Sequence, residues 1–191
     1  MTAGVQVTLK LATSLDGRIA TATGESRWIT GEAARARVHE LRAEHDAVLV
    51  GVETAIADDP ELTVRTSGYA GRQPARVVLD SRQRLSGLSK LVATARERPT
   101  FVVSIDPAQS RLTDLGVTVM TVKALGERPD LNDTLERLRA HGVRRLMVEG
   151  GGQVAASFLR CGLVDRIEWF RAPMVLGGED RKSTRLNSSH T

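Results

Sequence analysis

Three consecutive glycines, Gly150 to Gly152, separate an apolar stretch from an amphipathic one in "LMVEGGGQVAASFL". A backbone without side chains can approach a pyrophosphate closely, and the free N–H groups at a helix start attract anions. A tight turn that needs one glycine with positive φ is the alternative, and the run of three favours phosphate binding. The spacing is not the G-x-G-x-x-G dinucleotide motif. We therefore expect an anion site here, with Glu149 facing it.

Two arginines are further candidates for binding an anion. Arg42 follows Val38 by four positions, so it shares the buried side of a predicted helix. An arginine at a core edge needs an anionic partner, which is either a carboxylate of the protein or a substrate phosphate. Thr54, Asp58 and Arg65 follow the next apolar stretch, "DAVLVG". Two guanidinium groups near one strand end make a phosphate clamp plausible.

A lysine interrupts the apolar segment "VTLKLA" at position 10. In a central strand the ammonium group of Lys10 would be costly unless paired, and burial would lower its pKa toward the range useful for proton transfer. Exposure at a sheet edge is the alternative.

The segment "VVLDSRQR" places polar residues directly after another apolar stretch. The hydroxyl of Ser81 and the guanidinium of Arg82 suit a ribose 2′-phosphate, which favours NADP over NAD. Asp80 argues the other way, because an acid at this position suits an unmodified ribose. A polar turn without a ligand explains the motif equally well.

Strands that alternate with helices must position these residues. Hydrophobic alternation and β-branched residues predict seven strands, and 3.6-residue periodicity predicts three helices. Because ligands of open α/β sheets gather at the carboxyl ends of strands, the residues beyond each strand should form the site. The predicted strands are Val5–Leu11, Ala47–Gly51, Ala75–Asp80, Thr100–Ile105, Val117–Val122, Arg145–Glu149 and Arg166–Arg171, and the helices are Gly31–Glu44, with Thr30 as its N-cap, Asp130–His141 and Gln153–Cys161. Pro60 further predicts an extended backbone at Asp59.

The composition is that of a globular domain, with 191 residues, 41% apolar and 26% charged. No stretch approaches the roughly 18 apolar residues of a membrane helix, and we expect a cytoplasmic protein that binds no membrane. The single cysteine, Cys161, excludes an internal disulfide and a cysteine-based metal site, and we expect it to pack in the core. No metal is expected.

The last eleven residues, 181–191, differ from the rest in being polar and without pattern. Arg181, Lys182 and Arg185 supply three of the four net positive charges, which leaves +1 for residues 1–180. The basic pI is therefore no evidence for nucleic-acid binding. We expect one domain over residues 1–180 that lacks its last strands, followed by a disordered tail derived from an adapter or linker.

Several motifs together resemble the reductase domain of the bifunctional riboflavin-biosynthesis deaminase/reductase, from about Val5 to Gly178. They are "LKLATSLDGRIA", "GESRWIT", "DAVLVGVETAIADDPELTVR", "VVLDS" and "VEGGGQVAASFL". The resemblance implies a dihydrofolate-reductase-like fold, a mostly parallel sheet flanked by helices, and a homodimer. It also implies that NADPH reduces the ribosyl group of 5-amino-6-(5-phosphoribosylamino)uracil to ribityl.

The resemblance also assigns residues to roles. Lys10 matches the strand lysine that the family has near the reacting centre, and Asp58 is placed with it at this centre. That Lys10 donates the proton is our own hypothesis. The substrate contacts are Ser26, Arg42, Leu62, Arg65 and Glu149. The NADPH contacts are Ala12, Trp28, Thr54, Asp58, Ser81, Gly151, Gly152, Gln153, Val154, Ala155, Ala156 and Ser157.

Other functions remain open from the sequence. The deaminase half is absent, because its zinc signature needs more than one cysteine. The chain is therefore a fragment or a stand-alone reductase that acts before deamination on the 2,5-diamino substrate. A pterin reductase of the same fold and a non-catalytic nucleotide-binding fragment are further alternatives.

Overall fold

A computed structural model of the protein describes residues 4–17, 31–107 and 111–173. Within these ranges, seven strands form one parallel sheet and two short strands form an antiparallel hairpin. The strands are β1 (Gln6–Thr13), β2 (Ala47–Gly51), β3 (Ala75–Leu79), β4 (Thr100–Ser104), β5 (Thr118–Thr121), β6 (Ala124–Leu125), β7 (Arg128–Pro129), β8 (Arg145–Gly150) and β9 (Arg166–Arg171). The large sheet has the order β5-β4-β3-β2-β8-β1-β9.

Helices cover both faces of this sheet. They are α1 (Glu32–Glu44), α2 (Val52–Asp58), α3 (Lys90–Ala93), α4 (Arg111–Asp114), α5 (Leu131–Ala140) and α6 (Gly152–Arg160). On one face Leu135 of α5 and Phe158 of α6 are fully buried, and on the other Leu41 of α1 and Leu91 of α3 are fully buried. Coverage of both faces explains why the central strands are almost continuously apolar.

All seven predicted strands and all three predicted helices are present, with ends displaced by at most two residues. The sequence prediction missed α2, α3 and α4, which have seven, four and four residues. It also missed the β6–β7 hairpin. Such short elements do not complete enough turns or alternations for a period to be recognised.

Three local expectations were wrong. The N-cap of α1 is Gly31 rather than Thr30, which lies outside the described residues. Asp59 is left-handed, with φ of 39°, rather than extended, because its N–H closes the last turn of α2 on the Ala55 carbonyl. Cys161 is exposed at the end of α6 and does not pack in the core. The predicted tail, residues 181–191, lies outside the described residues, so this expectation stays a prediction.

The strand order creates a crevice between β2 and β8. The chain adds β3, β4 and β5 on one side of β2, whereas β8, β1 and β9 lie on the other side. Ligands of parallel sheets bind outside the carboxyl ends of the strands at such a change of direction. Within the described ranges, no helix has the length and apolar character needed to cross a membrane.

Candidate functional site

Two glycine-containing turns meet at the carboxyl ends of β2 and β8. A Cβ atom added to Gly150 would lie 2.9 Å from Cγ2 of Thr54, and one added to Gly51 would lie 2.8 Å from Cγ2 of Val154. Gly151 has a positive φ of 90°. Gly150 is thus needed for close approach and Gly151 for its backbone conformation, so the glycines serve the turn whether or not a phosphate binds.

The same turns leave two helix starts without side-chain caps. Gly51 is the N-cap of α2 and Gly151 is the N-cap of α6, and neither position supplies a capping side chain. The first backbone N–H groups of a helix have no partner within the helix. Both N-termini follow strands that border the crevice, so α2 and α6 present donors and positive dipole ends at this edge of the sheet.

The charged side chains of Lys10, Arg42 and Glu149 lie close together beside this turn, on the sheet face that α1 covers. Arg42 Nε donates to Glu149 Oε2 at 3.0 Å, and Arg42 Nη2 donates to Glu149 Oε1 at 2.6 Å. Both side chains are only 10% exposed. The expected anionic partner of Arg42 is therefore a carboxylate of the protein, held in a bidentate pair.

Lys10 lies next to this pair in β1. Burial lowers the pKa of Lys10 from its usual 10.5, while the Glu149 carboxylate raises this pKa and the Arg42 guanidinium lowers it. Since β1 pairs with both β8 and β9, edge exposure does not account for the lysine. The tertiary structure places an ammonium group of reduced proton affinity at the border of the crevice.

The segment after α2 is held against α1. Leu62 has a left-handed backbone with φ of 54°, and its side chain is buried, so only its backbone could face a substrate. Arg42 Nη1 donates to the Thr63 carbonyl at 2.8 Å. The amide of Gln73 makes two hydrogen bonds with the backbone of Val64, at 2.8 and 3.0 Å. Segment 61–65 is therefore ordered by side chains from outside it.

Arg65 ends this segment, and its side chain is 61% exposed. Its guanidinium lies 3.7 Å from the Glu61 carboxylate, and its backbone N–H donates to Nδ1 of His39 at 3.2 Å. His39 precedes Arg42 by one turn of α1. Arg42 is thus a buried and paired residue of α1, whereas Arg65 lies in a loop segment that contacts α1 through His39 and keeps its side chain mostly in solvent.

A cavity of about 340 Å³ opens beyond β3, toward the β6–β7 hairpin. Arg82 pairs with Glu127 at 3.3 Å, and Arg84 pairs with Glu53 at 2.6 Å. These carboxylates are 85% and 77% exposed, and exposed pairs of this kind contribute little energy. The cavity is lined by Val52, Leu79, Ser81, Arg82, Arg84, Glu127 and Arg128.

Asp80 does not face this cavity. Its side chain is fully buried, and Oδ2 accepts the Leu85 backbone N–H at 2.8 Å. Its carboxylate closes the turn after β3 instead of offering oxygens to a ribose. Asp80 is therefore not available to bind the hydroxyls of an unmodified ribose, and it does not favour NAD over NADP.

The first turns of α6 border the cavity through the hairpin. Arg128 lies 3.4 Å from Gln153 Oε1 and 3.5 Å from Ser157 Oγ. Ala155 is buried in the core, while Val154 packs at its edge. The predicted contacts of α6 therefore divide into a buried side and a side that faces Arg128.

The other predicted site residues occupy varied positions. Ala12 lies near the carboxyl end of β1, and Asp58 is exposed at the last position of α2. Asp58 lies six positions after Val52, the first residue of α2, which corresponds to about 9 Å along the helix axis. Ser26 and Trp28 lie outside the described residues. Among the residues that the structure describes, no three His, Cys, Asp or Glu side chains are grouped to hold a metal.

Sequence reasoning missed His39, Gln73, Arg84 and Arg128. His39 could have been noticed because it lies three residues before Arg42 on the same helix side. Arg128 could have been found only by recognising the Gly126 turn of the hairpin. Arg84 and Gln73 lie in loops and carry no periodic signal.

The family model of the RibD C-terminal domain matches residues 5–189. The chain belongs to this family. Its sheet and flanking helices match the structure of Acinetobacter baumannii RibD with a TM-score of 0.81 and 36% identity, over 93% of this chain and 48% of that one. The expected dihydrofolate-reductase-like α/β fold is confirmed.

Two relatives differ in length. The riboflavin biosynthesis protein RibD of Actinobacillus pleuropneumoniae is 39% identical over 93% of this RibD-family chain, which spans only 47% of that protein. The 2,5-diamino-6-ribosylamino-4(3H)-pyrimidinone 5′-phosphate reductase of Methanothermobacter thermautotrophicus is 44% identical, over 93% of this chain and 82% of the relative. The family thus includes proteins of about this length as well as longer ones.

Proposed function

We propose that this chain is a reductase of riboflavin biosynthesis that uses NADPH to reduce the ribosyl group of 5-amino-6-(5-phosphoribosylamino)uracil to ribityl. The observation that carries the proposal is the cluster of Lys10, Arg42 and Glu149 beside the uncapped start of α6. It combines a proton source, charged groups for a polar substrate and an anion site in one crevice.

The residues at the helix starts would hold the cofactor. The free N–H groups at Gly152 and Gln153 suit a pyrophosphate, with Thr54 beside the turn. Ser81, Arg82 and the other guanidinium groups of the cavity suit a 2′-phosphate, which favours NADPH over NADH. Because the carboxylate partners of Arg82 and Arg84 are exposed, a phosphate would displace these carboxylates at low cost.

Lys10 would give its proton to the ring oxygen O4′ of the ribosyl group as the C1′–O4′ bond breaks and the open-chain iminium forms. When bound, the cofactor supplies the hydride that is added to C1′ of the open-chain or iminium form of the ribosylamine. Burial lowers the pKa of Lys10, so its ammonium group releases a proton more readily than an exposed lysine does. General acid catalysis of this kind contributes roughly 10²–10⁴-fold to the rate. Asp58 would also act at this reacting centre and contact the cofactor.

The substrate phosphate would bind at the exposed guanidinium of Arg65. Arg42 is already neutralised by Glu149, and both would orient the polar pyrimidine and sugar, together with Ser26 and the backbone of Leu62. Loss of Arg65 is therefore expected to raise KM for the substrate more than it lowers kcat.

The 2,5-diamino-6-ribosylamino-pyrimidinone phosphate is the second candidate substrate. A relative named as the reductase of that compound is matched over 82% of its length. The two pyrimidines differ in the ring and share the ribosyl phosphate, so the same residues would act on both. Initial rates on the two compounds, measured side by side, separate the candidates.

The decisive test is oxidation of NADPH in the presence of each pyrimidine, followed by the loss of nicotinamide absorbance. NADH serves as the comparison cofactor, and circular dichroism establishes that the protein is folded. Absence of turnover with both pyrimidines in folded protein would overturn the reductase and leave a nucleotide-binding module. We place this enzyme in the cytoplasm as a homodimer, which light scattering and cell fractionation would test.

A further inference from the structure

His39 lies at a junction of hydrogen bonds that fixes the segment leading to Arg65. Its Nδ1 accepts the Arg65 backbone N–H at 3.2 Å and lies 3.2 Å from the Thr63 carbonyl oxygen. The same carbonyl accepts Arg42 Nη1 at 2.8 Å. The half-buried imidazole of His39 therefore stands between a backbone donor and a backbone acceptor, both belonging to the segment.

Only one of these two backbone contacts can be a hydrogen bond at a given time. An unprotonated Nδ1 accepts the Arg65 N–H, whereas a protonated Nδ1 donates to the Thr63 carbonyl and leaves the Arg65 N–H without its acceptor. Because Arg42 already donates to that carbonyl, the junction is best satisfied when the proton of neutral His39 is on Nε2.

We propose that His39, as the neutral Nε2–H tautomer, is a positioning residue that holds Arg65 for the substrate phosphate, and that protonation of His39 releases it. The effect on binding of the substrate phosphate rests on the proposed function, whereas the change of hydrogen bonds between His39 and Arg65 does not. No nucleophilic or acid–base step is assigned to His39. Its effect is transmitted through the Arg65 backbone alone.

The charges around His39 favour the neutral ring. On its own helix it faces Arg42, from the following segment it faces Arg65, and from β8 it faces Glu149. Burial lowers the pKa of His39 most, both arginines lower it further, and the Thr63 carbonyl and Glu149 raise it less. Glu61 pairs with Arg65 and belongs to the same segment. The switch therefore operates below pH 6.5, the usual pKa of histidine.

The backbone directly before these contacts adopts an unfavourable conformation. Leu62 keeps a left-handed φ of 54°, which is unfavourable for a branched side chain. Arg42 and Gln73 hold the carbonyl of Thr63 and the backbone of Val64, while His39 holds the N–H of Arg65. Losing the last contact frees the end of the segment that carries the guanidinium.

Two substitutions separate positioning from folding. In His39→Asn the side-chain oxygen can occupy nearly the place of Nδ1 and accept the Arg65 N–H, but it does not titrate. His39→Leu removes the acceptor altogether. His141→Leu is the matched control, because His141 is an exposed residue at the end of α5, away from this junction.

The kinetic test measures KM and kcat for the pyrimidine phosphate from about pH 7.5 to about pH 5.5, where histidine titrates. We expect His39→Leu to raise KM for the pyrimidine about 10-fold, the effect of one lost hydrogen bond, with kcat and KM for NADPH nearly unchanged. In the wild type, KM for the pyrimidine should rise toward acid pH. His39→Asn should have the wild-type KM at neutral pH and a smaller rise at acid pH, because the contribution of His39 protonation is lost. The proposal would be overturned if KM in His39→Leu equalled that of the wild type, or if KM in His39→Asn rose at acid pH as much as it does in the wild type.

A spectroscopic test does not depend on turnover. In ¹⁵N-labelled protein the ring shifts of His39 report its tautomer, and the Arg65 amide proton should titrate in step with the ring in the wild type but not in His39→Asn. A proton on Nδ1 at neutral pH would overturn the proposal. If the amide follows the ring while neither pyrimidine is reduced, the switch stands and the proposed function fails.

Discussion

The two arginine-containing regions of the site differ in what holds their guanidinium groups. At the end of β8, Arg42 is buried and forms a bidentate pair with Glu149. Beyond β3, Arg82 and Arg84 extend into solvent and contact carboxylates that are themselves mostly exposed. A buried charge needs a permanent partner of the protein, whereas an exposed one can exchange its partner for a ligand. We therefore expect the first region to orient a bound ligand and the second region to capture one.

The largest expected effect concerns the buried region. Lys10→Ala should lower kcat by roughly 10²–10⁴-fold, the usual contribution of a general acid, while KM for NADPH changes little. Steady-state kinetics with the pyrimidine phosphate measure both constants. Lys90→Ala, which removes a lysine that is 57% exposed, is the control and should retain normal rates. A near-normal kcat in Lys10→Ala would remove this lysine from the chemistry.

Breaking the buried pair should also cost stability. Glu149→Gln leaves the Arg42 guanidinium without its anion at a position only 10% exposed, and we expect a loss of about 3 kcal/mol in the free energy of unfolding. Urea titration followed by circular dichroism measures this loss. The matched change Glu40→Gln affects a carboxylate that is 59% exposed, and it should cost less than about 0.5 kcal/mol. Equal losses in the two variants would erase the distinction between the regions.

The exposed region should affect ligand capture and not folding. The double change Arg82→Ala and Arg84→Ala should raise Kd for NADPH roughly 10–100-fold, because two charge-assisted contacts are lost, and leave Kd for NADH unchanged. Isothermal titration calorimetry measures both constants, and the urea midpoint should stay constant. Arg137→Ala, at a similarly exposed arginine of α5, is the control. A parallel loss of NADH affinity would argue against a 2′-phosphate site.

The smallest effect is a pH dependence of stability due to Lys10. Because burial lowers the pKa of Lys10 below 10.5, the folded state binds fewer protons than the unfolded state between the lowered value and 10.5. The contribution of Lys10 to stability should therefore increase as pH rises through this window. Urea titrations at several alkaline pH values would show a steeper rise in wild type than in Lys10→Met. Parallel curves would mean that Lys10 keeps an ordinary pKa.

Much of the fold was predictable because the pattern of a strand or helix is local. The apolar run at Ala47–Gly51 and the periodicity of α5 each identify their own element. Lys10, Arg42 and Glu149 were each identified as candidate site residues from their positions in the sequence, and their functional roles stay predictions. Their mutual pairing was not predictable, since Arg42 and Glu149 lie 107 residues apart and only the packing of α1 on β8 joins them.

The sequence by itself determined a parallel α/β sheet, the residues at its strand ends and the need for glycine after β8, because backbone preferences and hydrophobic periods act over a few neighbours. Only the tertiary structure decided which charges are buried and paired, that Asp80 turns inward to the Leu85 N–H, and that Arg128 of the hairpin meets α6. These outcomes depend on contacts between distant segments. Burial and the choice of partner arise only when the helices pack on the sheet.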